Sequence, residues 1–286
     1  MSIWQILVLA VVQGAAELLP VSSSAHVIVA SKLMGLDPSS PEMVLLLVML
    51  HTGTMFAVIC YFWRAWRLNY FGSRHDLWEF CKQIVVATAF TGALGFGLKL
   101  LVEKVLLGHR ADAAVEHLFG ELGLVALALA SAGCLIIFAG IKAGRRSGRQ
   151  GIFFRDSMWI GLVQGLCLPF RGFSRSGATI STALLLGINK ARAEEFSFAL
   201  VVVLTPPIIV RSVWRLMKAQ SEAHLSTAAL WNMFCPSLLG MVFSFLAGML
   251  ALRWLSRWLE GGRWQWFGMY CLVFAAGVYT LHRAGF

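Results

Sequence analysis

The sequence predicts an all-α polytopic membrane protein: two inverted repeats with paired re-entrant half-helices around a central cavity. Three observations lead there. Of 286 residues, 58% are hydrophobic and only 13% are charged, and the mean hydropathy is +0.74, as expected of a chain solvated by lipid. Several long segments contain no Asp, Glu, Lys or Arg. The chain also repeats itself at an offset of 151: Val12-Gln13-Gly14 returns as Val163-Gln164-Gly165, Ser23 falls on Ser174, Thr54 on Thr205, and Trp63-Arg64 on Trp214-Arg215.

The elements follow in chain order. Ile3–Ala16 is an apolar run of 14 residues, about 21 Å of helix and too short to cross a membrane alone. No basic residues precede it, so it is expected to be retained and not cleaved as a signal. The knot Glu17–His26 comes next, with Pro20 favouring a break at or before Leu19. Met43–Trp63 and Leu122–Ile141 carry no charge and can each span a core of roughly 30 Å. Gln83–Leu98 is shorter and spans if its flanking lysines snorkel. Ser157–Phe170 and Ser176–Asn189, again 14 residues each, flank a second knot, Arg171–Gly177. Pro206-Pro207 is expected to kink Phe196–Val210. Leu225–Leu252 and Trp264–Leu281 are the last spans. The expected organisation is a single integral membrane domain, 1–286, with repeats 1–75 and 152–226, linking helices within 83–141 and C-terminal helices within 225–281.

Irregular backbone at membrane depth persists only where it is buried in protein or lines a wet cavity. Two knots in equivalent places of two repeats therefore mark a central site. Reading them as ordinary solvent loops would leave the short runs unable to cross.

The net charge of +10 fits contact with anionic lipid or an anionic substrate better than nucleic-acid binding. Trp-Arg neighbours such as Trp63-Arg64 and Arg257-Trp258 suit the membrane interface. The six cysteines are scattered without metal or redox spacing and read as packing residues. The stretches 64–82 and 142–155 are basic while 99–121 is acidic, which places the first and third in the cytoplasm. An inverted second half would put the basic stretch 211–222 outside, a conflicting cue.

The chemistry concentrates in the knots. Gln13 and Glu17 share a helical face, where a carboxylate can hold a divalent cation or act as a base. Ser22, Ser23 and Ser24 precede His26, so a nucleophile lies within reach of an imidazole, with Glu17 the nearby group to orient it. Alternatively the serines cap a helix and His26 is interfacial. In the second knot, Arg175 lies among Gly172, Ser174, Ser176, Gly177 and Thr179, ahead of a helix expected to begin near Ala178. A guanidinium, hydroxyls and helix N–H groups together suit phosphate. An ion pair between Arg175 and Glu17 across the repeats is the structural alternative, compatible with function when substrate is absent. His51 either lines the cavity or bonds across helices. Glu194-Glu195 is expected to be solvated between helices. His75, His109, His117, His224 and His282 are expected to be interfacial.

These two knots resemble those of the bacterial undecaprenyl-diphosphate phosphatase family, also called the bacitracin resistance protein family. The resemblance spans almost the whole chain. It rests on Gln13-Gly14-Ala15-Ala16-Glu17-Leu18-Leu19-Pro20-Val21-Ser22-Ser23-Ser24-Ala25-His26 and on Gly172-Phe173-Ser174-Arg175-Ser176-Gly177-Ala178-Thr179-Ile180. It implies an enzyme of the bacterial cytoplasmic (inner) membrane, multi-pass, whose cavity opens to the outer, periplasmic face. Such an enzyme removes the terminal phosphate of undecaprenyl diphosphate with a divalent cation, Mg²⁺ or Ca²⁺. It thereby recycles the lipid carrier for peptidoglycan synthesis and confers bacitracin resistance. The implied catalytic residues are Glu17, Ser23, His26 and Arg175. Ser22, Ser24, Arg171, Gly172, Ser174, Ser176 and Thr179 are the implied substrate contacts, and Gln13 and Glu17 the metal ligands. Membrane lipids are the expected partners, nucleic acid is not, and a homodimer is compatible. Two positions depart from the family pattern: Gln13 stands for an acidic residue, a variant the pattern accepts, and Arg171 stands where the family has Pro. A secondary transporter is the rival reading of such repeats. Another kind of lipid-phosphate phosphatase is less well supported, because its signature is absent.

Overall fold

The structure, a computed structural model, describes residues 1–37, 40–106, 121–144, 148–223 and 227–285. Of the histidines expected at the interface, His109, His117 and His224 lie outside the described residues, as do most of the acidic stretch 99–121 and the start of the run 225–252.

Ten helices account for the described residues, and no strand occurs among them. They are α1 (Ile3–Leu18), α2 (Ser23–Leu33), α3 (Pro41–Asn69), α4 (Arg74–Leu106), α5 (Leu122–Ala143), α6 (Phe154–Cys167), α7 (Arg175–Leu185), α8 (Lys190–Ala223), α9 (Thr227–Glu260) and α10 (Trp264–Arg283). Five stretches, in α3, α4, α5, α8 and α9, are long and apolar enough to cross a membrane. The all-helical polytopic fold expected from composition is therefore what the chain forms. Side chains such as Val85, Phe96, Leu127, Phe138, Ile141 and Val273 point outward, as lipid-facing surfaces require.

The four short helices are α1 and α2, joined by the first knot, and α6 and α7, joined by the second. Serines start several helices. Ser2 caps α1 in a capping box with Gln5, Ser22 caps α2, Ser40 caps α3 and Ser174 caps α7, each satisfying an otherwise orphaned N–H. Because Ser174 is the cap, α7 begins at Arg175 and not near Ala178.

Glycines let the short helices close on long ones. Gly14 lets α1 close on α9, where a Cβ would meet the Ser244 carbonyl oxygen at 2.6 Å. Its counterpart Gly165 lets α6 close on α4, where a Cβ would meet the Thr91 carbonyl oxygen at 2.9 Å. The counterpart helices α3 and α8 run in opposite directions. The C-terminal end of α3 meets the start of α8 through Trp66 Nε1 on the Glu195 carbonyl, 3.2 Å, and Asn69 on the Glu195 carboxylate, 3.0 and 3.1 Å. The core runs through Phe62, Trp66, Phe196, Phe198, Leu129 and Phe267.

Pro206-Pro207 stands inside α8, where the missing N–H groups free carbonyls in the turn before them. One expectation changes: Glu194 and Glu195 are buried, not solvated. Because α8 begins at Lys190, these residues fall on a turn packed against α3 and α9. Ser256 donates to Glu194 at 2.6 Å, and Arg192 pairs with Glu195 at 3.2 Å.

Candidate active site

The two knots meet at a cavity of about 670 Å³. Its floor is polar, with Glu17 at the end of α1, Ser22, Ser23 and Ser24 at the start of α2, and Ser174, Arg175 and Ser176 at the start of α7. Its walls are apolar, from Val44, Leu47 and Val48 on the first half of α3 and Ile208 and Ile209 on the second half of α8.

Glu17 is the hub. Its Oε1 pairs with Arg175 Nη2 at 2.5 Å. Its Oε2 accepts from Ser23 Oγ at 2.5 Å and from Gln13 Nε2 at 3.2 Å. Only 9% of the carboxylate side chain and 22% of the guanidinium side chain is exposed, so each depends on the other for compensation. Gln13 also reaches His51 Nδ1 at 3.0 Å, and that nitrogen lies 3.9 Å from Glu17.

The knots are laced together by small hydroxyls. Ser24 Oγ accepts from Gly172 N–H at 3.2 Å, and Ser176 Oγ donates to the Leu19 carbonyl at 3.3 Å. Gly172 has φ 103°, in the region that favours glycine, and this turn delivers the chain to Ser174. Thr179 is a brace behind the site: its hydroxyl donates to the Arg175 carbonyl at 2.9 Å and lies 2.5 Å from Ser197 Oγ.

Glu17, Ser22, Ser23, Ser24, Arg171, Ser174, Arg175 and Ser176 thus line one cavity, brought together from positions 17 to 176. Gln13, Gly172 and Thr179 support it from behind. His26 differs from expectation. It shares no bond with Ser23 or Glu17; its Nδ1 lies 2.8 Å from the Ser22 carbonyl and its Nε2 lies 2.7 Å from the Tyr270 hydroxyl. The reason is local: Ser23 opens α2, so His26 sits nearly one turn on and faces α10. The imidazole lining the cavity is that of His51. The sequence signal for it was a histidine within a long charge-free span.

Arg171 also lines the cavity. Its side chain is exposed, and among the described residues no hydrogen bond or ion pair holds it. The donors around Glu17 are one carboxylate, one amide, one imidazole and hydroxyls. Among the described residues no group of three His, Cys, Asp or Glu side chains could hold a metal ion. The set still suits a hard cation of the Mg²⁺ type, which takes one or two carboxylates and completes its shell with water and phosphate oxygens.

The family model described as bacitracin resistance protein BacA matches residues 6–277. Undecaprenyl-diphosphatase 2 of Acinetobacter baylyi is 56% identical over 283 residues, covering 98% of both chains. Proteins of the same name from Burkholderia orbicola and Burkholderia ambifaria are 33% and 34% identical. The first covers 99% of both chains, the second 98% of this chain and 96% of its own.

Proposed function

The chain belongs to the bacitracin resistance protein BacA family, and from that premise we propose that it hydrolyses undecaprenyl diphosphate to undecaprenyl phosphate and inorganic phosphate. The observation that carries the reading is the Ser23–Glu17–Arg175 triad at the floor of a cavity with apolar walls. A hydroxyl hydrogen-bonded to a carboxylate is a nucleophile beside its base, and a guanidinium beside them matches a phosphate. Full-length relatives named for this activity favour hydrolysis over the transporter reading.

The diphosphate enters with its prenyl chain against Val44, Leu47, Val48, Ile208 and Ile209. Its terminal phosphate takes the Arg175 guanidinium from Glu17, aided by Ser176 and the N–H groups that open α7. Freed of Arg175, Glu17 becomes a stronger base for the Ser23 proton. Ser23 Oγ attacks the terminal phosphorus as the bond to the bridging oxygen breaks, and undecaprenyl phosphate leaves with the proton that Glu17 took from Ser23. Water, deprotonated by the regenerated Glu17 carboxylate, then attacks the phosphoserine, and Glu17 returns that proton to Ser23 Oγ as inorganic phosphate departs. Direct attack by water uses the same groups without the phosphoserine, and trapping phospho-Ser23 separates the two routes. Glu17 and Gln13, through its Oε1, would hold Mg²⁺ or Ca²⁺ together with substrate oxygens. When bound, the ion neutralises charge on the diphosphate.

In this reading the protein sits in the bacterial cytoplasmic membrane, recycles the carrier for cell-wall synthesis and confers bacitracin resistance. The opposed directions of α3 and α8 support an inverted relation between the repeats. The test is phosphate release from undecaprenyl diphosphate by purified protein. Arg175→Ala is expected to lower kcat/KM about 10²–10³-fold, the scale of a lost transition-state donor. Near-normal turnover of a folded variant would sink the assignment.

A further inference from the structure

Ser22 is the one non-glycine with positive φ among the described residues, at 67°. A side-chain-bearing residue keeps such a conformation only where its surroundings over-determine it. Its Oγ accepts from Ala25 N–H at 3.4 Å. Its carbonyl oxygen accepts from the backbone N–H of His26 at 3.4 Å and meets His26 Nδ1 at 2.8 Å. A carbonyl oxygen can only accept, so Nδ1 carries the imidazole proton. The neutral ring then presents a bare Nε2, and the Tyr270 hydroxyl, 2.7 Å away, donates to it. The ring also stacks on Phe274, with centroids 3.9 Å apart and planes within 6°. Tyr270 and Phe274 are four residues apart on α10, hence on one face. Both ring nitrogens are committed, and His26 lines no part of the cavity.

We propose that His26 is a positioning residue and not the nucleophile or base. Tyr270 is a second positioning residue, which fixes the His26 tautomer and so holds the Ser22 turn that delivers Ser23 to Glu17. The proposal rests on the phosphatase reading of the cavity. It makes α10, which contributes no cavity-lining residue, part of the machinery.

Three full-length variants test it. Tyr270→Phe keeps the stacking and removes the donor. His26→Asn keeps an N–H near the position of Nδ1 and has no nucleophilic or basic nitrogen, while His26→Ala removes both. Each is purified, checked for folding by thermal unfolding in detergent, and assayed for phosphate release. Tyr270→Phe is expected to lower kcat about tenfold, the scale of one hydrogen bond, with KM nearly unchanged. His26→Asn is expected to retain about tenfold more activity than His26→Ala. Equal inactivity of the Asn and Ala variants overturns the proposal, because the imidazole is then needed as a chemical group. A second readout is independent of turnover. ¹⁵N-histidine spectra, with His26 assigned by its loss in His26→Asn, are expected to show the Nδ1-protonated tautomer in the wild type. A mixture is expected in Tyr270→Phe. An Nε2-protonated wild-type ring overturns the proposal whatever the substrate. A wild-type protein that releases no phosphate overturns the phosphatase reading and leaves this spectroscopic test to decide.

Discussion

The guanidinium of Arg175 and the carboxylate of Glu17 come from residues 158 apart in sequence and share a mostly buried site. Removing either would leave an uncompensated charge. In the proposed reaction substrate would resolve the same problem differently, with phosphate satisfying Arg175 and releasing Glu17 to accept a proton. Arg171 contrasts with Arg175: it lines the same cavity with no partner of its own among the described residues. A second cation there suits the second phosphate of a diphosphate. Arg171→Ala, or Arg171→Pro to restore the family residue, is expected to raise KM about fivefold with kcat retained, the scale of a solvent-accessible charge pair. Steady-state kinetics check this, and an unchanged KM shows Arg171 to be incidental. At this scale the motif spacing singled out Glu17, Ser23 and Arg175, which meet in the fold. It misdirected His26, because three residues along a capped helix point away from the first, and it left His51 open.

Helices place these groups to within hydrogen-bonding distance by close backbone contact. Gly14 sits three residues before Glu17, and Ser244 and Ala247 of α9 occupy the space a side chain would need. Gly14→Val is therefore expected to push α1 off α9 and destabilise the fold by about 1–3 kcal/mol, the cost of overpacking. Thermal unfolding measures this, and phosphate release is expected to fall further than unfolding alone explains, because Glu17 moves with α1. An unaltered melting temperature would show that α1 is not held by this contact. Element positions were legible from charge-free runs, since desolvating charge dominates the cost of placing a segment in lipid, but α4 and α8 run well past the expected Gln83–Leu98 and Phe196–Val210. Element ends were less so. Ser174 and Asn189 set where α7 and α8 begin, and the second of these start points buries Glu194 and Glu195 against α3 and α9.

The whole bundle is polarised. Arg64, Arg67, Arg74 and Lys82 gather where α3 turns into α4. Arg149 and Arg155 flank the start of α6, Lys190 and Arg192 open α8, and Arg253, Arg257 and Arg263 cluster at the junction of α9 and α10. Contacts such as Arg192 with Gln150, Arg192 over the Tyr70 ring and Gln83 with the Ile152 carbonyl show that several of these ends meet. The cavity is lined by the opposite halves of α3 and α8. By the positive-inside rule we propose that this basic end lies in the cytoplasm and the cavity on the outer face, against the conflicting cue of the basic stretch 211–222 at the other end of α8. In intact bacteria, with the six native cysteines replaced by Ser, a membrane-impermeant maleimide is expected to label Phe170→Cys, at the cavity, and to leave His75→Cys, in the α3–α4 turn, unlabelled until the membrane is permeabilised. The reverse pattern overturns the orientation.

Sequence by itself determined the lipid-solvated class, the short helices, the two knots and the carboxylate, hydroxyl and guanidinium they carry. These follow from local properties: the cost of charge in hydrocarbon, the length of an apolar run, and the backbone effects of Pro, Gly and Ser. Tertiary structure alone decided which side chains meet. Gln13 and Ser23 share Glu17 with an arginine from the other half of the chain. His26 turns instead to Tyr270, 244 residues away. A side chain's direction is set by the cap of its own helix and by the partner that packs on it, and that partner is not written in the neighbouring sequence.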